Sequence, residues 1–86
     1  MEDHVPAEEI PTLYRGVLET VARLERVGDR RYAYDLRARA VRTYSTRWDE
    51  AGRRALGRLD REGHARLEAT RRAGARSRAL PASEIY

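Results

Sequence analysis

Leu13, Tyr14, Val17, Leu18, Val21, Leu24 and Val27 recur at intervals of three and four residues, and Gly28 follows the last of them. That period lines apolar side chains along one face of an α-helix, and a glycine just past it supplies the left-handed position at which helices commonly stop. Pro11 suits a first helical turn and Thr12 an N-cap, so the spacing predicts a helix over about 12–27, with Ile10 or Thr12 as its boundary residue. Asp29 is a good N-cap directly after the glycine, so the chain must reverse within two or three residues and return antiparallel.

The same reasoning predicts a second helix over 30–45 and a third over 47–72. The second carries Tyr32, Ala33, Leu36, Ala40, Val41 and Tyr44 among arginines; the inward stripe is Ala33, Leu36, Ala40 and Tyr44. Ser45-Thr46 interrupts it, and Thr46 with Asp49 three residues later resembles a capping box. The third helix places Trp48, Ala51, Ala55, Leu56, Leu59 and Leu67 on its apolar face. Acid-first pairs Glu50–Arg54, Glu62–Arg66 and Glu68–Arg72 support it, while Gly52, Gly57 and Gly63 each cost roughly 1 kcal/mol relative to Ala. The expected architecture is all-α, a small three-helix antiparallel bundle, with one continuous rod for helices 2 and 3 as the alternative. Residues 1–9 read as a flexible acidic lead-in, 10–73 as the helical domain and 74–86 as a flexible tail.

Leu, Val, Ile and Phe together supply only 15 of the 86 residues, near the range of disordered chains. The net charge is only +4, however, and 13 alanines, five tyrosines and Trp48 can fill narrow helix contacts. The expected core is Leu13, Val17, Val21, Leu24, Leu36, Ala40, Tyr44, Trp48, Leu56, Leu59 and Leu67. So thin a core implies small net stability, or completion by a partner, a second copy included.

Without cysteine the chain has no disulfide, thiolate site or cysteine nucleophile, and its compartment leaves no redox mark; cytoplasm is the default. No apolar run approaches the length of a membrane span, and the N-terminus is acidic where a secretory signal is basic, so no membrane role is expected. The only histidines are His4 and His64, and no spacing joins either to a nucleophile; no enzyme and no cofactor are expected. Asp60, His64 and Glu68 share a helix face at i, i+4 and i+8, but ion-pair partners crowd them, and an exposed polar stripe is the reading preferred to a metal site.

All 18 basic residues are arginine. Arginine and acid balance over residues 1–44, so the whole excess lies in 45–86. Arg53, Arg54, Arg58, Arg61, Arg71 and Arg72 could neutralise phosphates along the third helix, which makes weak, sequence-independent nucleic-acid binding the alternative function. The preferred function is a non-enzymatic adaptor that presents arginine and tyrosine to an acidic protein. Tyr32 and Tyr34 lie on different sides of helix 2, so at least one of them is partly exposed.

Leu13-Tyr14-Arg15 at the head of the first helix, followed by the Arg- and Tyr-rich run from Arg31 to Arg39, resembles the LYR-motif family. The resemblance implies a small three-helix adaptor that binds acyl carrier protein and assists iron–sulfur or respiratory-complex assembly. It assigns Leu13, Tyr14 and Arg15 to the name-giving motif, with Arg31 and Arg37 as contacts for an acidic partner. The chain departs from the family in having no phenylalanine. The candidate partner-binding residues are Tyr14, Arg15, Arg31, Tyr34 and Arg37.

Overall fold

The computed structural model describes residues 6–79, in which three helices follow one another: α1 (Pro6–Arg26), α2 (Arg30–Thr46) and α3 (Glu50–Ala79). Helices 2 and 3 are separate. Gly28 adopts φ 91°, a conformation that favours glycine, and the chain turns there before α2. Contacts between α1 and α3 keep a constant offset of 44 residues: Glu9 meets Arg53 and Thr20 meets His64. α1 and α3 therefore run parallel, and α2 runs against both, with Tyr14 on Tyr44 at one end and Asp29 on Arg66 at the other.

Ile10, Val17, Val21 and Leu24 of α1, Ala33, Leu36 and Ala40 of α2, and Leu56, Leu59 and Leu67 of α3 form the buried core. Leu13, Tyr14, Tyr32 and Tyr44 pack on it while partly buried. Each fully buried Leu or Ile contributes roughly 1.5–3 kcal/mol over its exposed state, so a few large side chains carry most of the fold. Thr20 is also buried, and its hydroxyl donates to the Gly16 carbonyl at 3.2 Å. At Gly63 the three helices meet most closely: a Cβ there would stand 2.9 Å from Leu36 Cδ2 and 3.1 Å from Thr20 Cγ2.

Several boundaries differ from those expected. α1 begins at Pro6 rather than near 12 and carries Pro11 inside it. Proline there forfeits one backbone hydrogen bond, but Ile10 is fully buried and Glu9 reaches Arg53, so tertiary contacts hold the turn that proline weakens. Ile10 is thus a core residue rather than a boundary. α3 starts at Glu50 because Asp49 caps it: its Oδ1 accepts from the Gly52 N–H at 3.0 Å and its carbonyl from the Arg53 N–H at 3.0 Å. Thr46 takes no part in that cap and donates to the Arg42 carbonyl within α2.

α3 continues past 72 to Ala79, through a stretch dominated by alanine and arginine, both strong helix formers. The remainder of the expected lead-in and tail lies outside the described residues. Trp48, expected in the core, sits in the α2–α3 connection and is 45% exposed, because residues 47–49 belong to neither helix. Its indole N–H donates to the Tyr44 carbonyl, and its ring tilts against Tyr44, which stacks on Tyr14 at 3.9 Å.

Candidate partner-binding surface

On α2 the core stripe is Ala33, Leu36, Ala40 and Tyr44; Tyr34, Ala38 and Val41 repeat the i, i+4, i+7 spacing about a third of a turn away. This second stripe faces outward beside α1. Tyr34 is 76% exposed and Val41 40%. Arg30, Arg37 and Arg42 are also exposed, and none of the three pairs with a carboxylate among the described residues. Two shallow concavities meet at Tyr34. One, of about 660 Å³, is walled by Ala22, Glu25 and Arg26 of α1 with Arg30; the other, of about 400 Å³, by Arg37, Ala38, Val41 and Arg42. The result is an apolar strip edged by guanidinium groups.

Two nearby acids, Asp29 and Glu62, are engaged by arginines elsewhere in the bundle, while Glu25 stands in the wall of the first concavity beside Arg30. Asp29, expected to cap α2, accepts the Ala33 N–H on its carbonyl at 3.0 Å but makes no side-chain cap hydrogen bond; its carboxylate instead accepts from Arg66 Nε at 2.6 Å, Arg66 Nη2 at 3.2 Å and Thr70 Oγ1 at 3.4 Å. The Arg66 hydrogen bond chiefly holds the Asp29 carboxyl below its ordinary range, against the opposing effect of burial. Arg66 also lies over the Tyr32 ring, 4.7 Å from its centroid. Glu62, expected to pair with Arg66, takes Arg39 Nη1 at 3.1 Å instead. Arg39 Nε is shielded from solvent 3.1 Å from Asp35 Oδ2, in ionic contact without hydrogen-bond alignment. Burial, followed by the Glu62 charge, pushes the Tyr32 phenol up, while Arg66 covers its ring.

Of the residues singled out by sequence, Tyr34 and Arg37 share this surface. Tyr14 gives one ring face to Tyr44, which leaves less of it for a partner. Arg15 and Arg31 are exposed and line neither concavity, but at roughly 100° per residue Arg31 shares the outward face of α2 with Ala38 and Arg42, and Arg15 that of α1 with Ala22 and Arg26, so both flank the strip. Sequence reasoning missed Arg30, Arg42, Ala22 and the outward role of Val41; the recurrence of Tyr34, Ala38 and Val41 was the signal for it.

The third-helix arginines divide among several settings. Arg53 is held by Glu50, at 3.1 Å and 2.5 Å, and by Glu9 at 3.5 Å. Arg54 and Arg58 line the groove between α2 and α3, and Arg61 and Arg72 continue outward along the exposed ridge. Arg71 joins Arg23 and Arg26 around Val27 and Leu67 in a concavity of about 510 Å³ between α1 and α3.

A hydroxyl, an imidazole and a carboxylate also meet at the α1–α3 crossing. His64 Nε2 is 3.4 Å from Thr20 Oγ1, and its Nδ1 is 3.7 Å from Asp60 Oδ1. Thr20 is 1% exposed, so no substrate reaches its hydroxyl in this conformation, and the cluster is a polar seam between helices. Among the described residues no group of three or more His, Asp or Glu side chains is placed to hold a metal, and no helix is long and apolar enough to cross a membrane. Set against protein-family models, curated proteins and solved structures, the chain matches none.

Proposed function

We propose that this chain is a non-enzymatic interaction module whose α1–α2 face receives an acidic amphipathic segment of another protein. The observation that carries this reading is the exposed Tyr34–Ala38–Val41 strip set among Arg30, Arg37 and Arg42, none of them paired with a carboxylate among the described residues. Covering the strip gains apolar burial, and tyrosine offers a large contact at low entropic cost. Each arginine fork matches a carboxylate in two-point geometry, which gives orientation as well as attraction. An amphipathic helix with acidic flanks satisfies both demands, its apolar anchors lying on Tyr34 and Val41. A symmetric second copy meets them less well, because a two-fold contact across this face sets the arginines of one copy against those of the other. The resemblance to the LYR-motif family points in the same direction, toward an acidic partner.

The test is affinity capture of the tagged protein from its host at moderate salt after nuclease treatment, with Tyr34→Ala/Arg37→Glu in parallel. A defined acidic protein retained by the native chain and lost by the double variant supports the reading. Equal recovery by both chains, or loss of every partner on nuclease treatment, refutes it.

A further inference from the structure

The groove between α2 and α3, on a different face from the Tyr34 strip, is lined by Thr43, Arg47, Ala51, Arg54, Ala55 and Arg58 around a concavity of about 420 Å³. A second concavity of about 270 Å³ continues it past Thr43, Ala55 and Arg58 toward Arg39 and Glu62. Two acids border this groove, and arginines outside its lower half already engage both. Glu50 is hydrogen-bonded by Arg53 at 2.5 Å and 3.1 Å and only reaches Arg54 at 4.0 Å; Glu62 is held by Arg39 at 3.1 Å. Arg47 and Arg58 pair with no carboxylate among the described residues. The floor between the arginines consists of the small side chains Ala51 and Ala55, which leaves room for a group to enter. The mouth is fixed as well: Gly52 lies so close to the Arg47 carbonyl that no Cβ fits, which pins the Arg47 backbone against the first turn of α3.

Three arginines and one hydroxyl lining a single concavity over a small-residue floor suit an anion with several oxygens on one centre, and phosphoryl groups meet that description better than single carboxylates do. We infer that the α2–α3 groove is a phosphoryl-binding site, with Arg47, Arg54 and Arg58 as the charged contacts and Thr43 as a hydroxyl donor. A free polyphosphate and the backbone of a single-stranded nucleic acid present the same chemistry. The open course of the groove along α3 admits either. The two surfaces share Arg42, which borders both the Tyr34 strip and the second concavity, but Thr43, Arg47, Arg54 and Arg58 belong to the groove alone, so either proposal can fail while the other stands.

The experiment titrates the full chain with inorganic pyrophosphate at constant low ionic strength, following backbone amide shifts by NMR. Saturable binding with the largest shifts around Thr43, Arg47 and Ala51–Arg58 is expected. Arg54→Gln/Arg58→Gln, both exposed and so expected to fold, should weaken it at least tenfold, whereas Arg23→Gln/Arg71→Gln, which removes the same charge elsewhere, should weaken it less than threefold. No saturable binding, equal weakening by both pairs, or equal competition by poly-glutamate overturns the inference. A single-stranded oligonucleotide then separates the sources. If it competes, and its salt slope falls by about 1.4 in Arg54→Gln/Arg58→Gln, the groove takes a nucleic-acid backbone; if pyrophosphate binds and the oligonucleotide does not compete, it takes a free phosphate.

Discussion

Asp29 and Arg66 stand 37 residues apart and meet fork to fork, at 2.6 Å and 3.2 Å, tying the α1–α2 turn to the middle of α3. The pair closes the end of the bundle opposite the Tyr14–Tyr44 stack. Its Asp29 side is 14% exposed and its Arg66 side 49%, so solvent screens it in part.

That pair gives a pH prediction with a defined sign. Arg66 depresses the Asp29 pKa in the folded chain below its unfolded value of roughly 3.9. The stabilisation is therefore complete above that unfolded value and is lost as pH falls through the lower, folded one. Asp29→Asn should cost about 1 kcal/mol at neutral pH and progressively less as pH falls below the unfolded value, measured by urea unfolding at about pH 7 and about pH 3. A constant penalty at both pH values would contradict the assignment.

Gly63 and Gly57 lie in the same helix and should respond in opposite ways to alanine. A Cβ at Gly63 meets Leu36 and Thr20 at 2.9 Å and 3.1 Å, both of them buried, whereas at Gly57 the nearest atom is Arg61 Nη1 at 3.7 Å. Gly57→Ala should stabilise by about 0.5–1 kcal/mol through helix propensity. Gly63→Ala gains the same propensity but forces a packed centre apart, for a net loss of about 1–2 kcal/mol. Thermal melts of the two variants check the contrast.

Leu36 is fully buried where α2 faces both partners, and truncation to alanine should cost about 2–5 kcal/mol. In so small a domain that is a large share of the total, and Leu36→Asp should abolish folding of the monomer. Unchanged helical circular dichroism and melting for Leu36→Asp would remove the basis for this core.

Trp48 provides a check on the exposed connection. Truncating a buried tryptophan costs roughly 3–5 kcal/mol, but Trp48 is 45% exposed and held by one indole hydrogen bond and the Tyr44 ring. Trp48→Ala should cost about 1–2 kcal/mol, and Trp48 fluorescence in the folded chain should be readily quenched by iodide. A blue-shifted, protected emission would place the ring in the core after all.

The helix-forming pattern was legible wherever it was local. The three-and-four spacing ended by Gly28 located α1 and its turn, and the apolar stripes of α2 and α3 located their packing faces. What escaped sequence reasoning depends on partners distant in the chain. Pro11 looked like a start because nothing local shows that Ile10 is buried or that Glu9 reaches Arg53. Asp29 and Glu62 looked like a cap and an i,i+4 partner, but helices placed beside them offered Arg66 and Arg39. Trp48 looked like a core residue because size and hydropathy do not reveal that α2 stops at Thr46, two residues earlier. For the candidate surface, Tyr34 and Arg37 were legible as exposed types on α2. Arg30, Arg42 and Val41 joined them only once α1 and α3 had fixed which side of α2 faces outward.

The central claim is that Tyr34 stands at the centre of a contact with an acidic protein, and photo-crosslinking tests it most directly. A benzoyl-phenylalanine placed at position 34, and separately at Arg61 on the exposed ridge of α3, is irradiated in cells of the host and the adducts are identified by mass spectrometry. A discrete adduct with an acidic protein is expected from position 34, absent from position 61 and abolished by Arg37→Glu. Adducts of equal yield from both positions, or an adduct at 34 that survives Arg37→Glu unchanged, would contradict it.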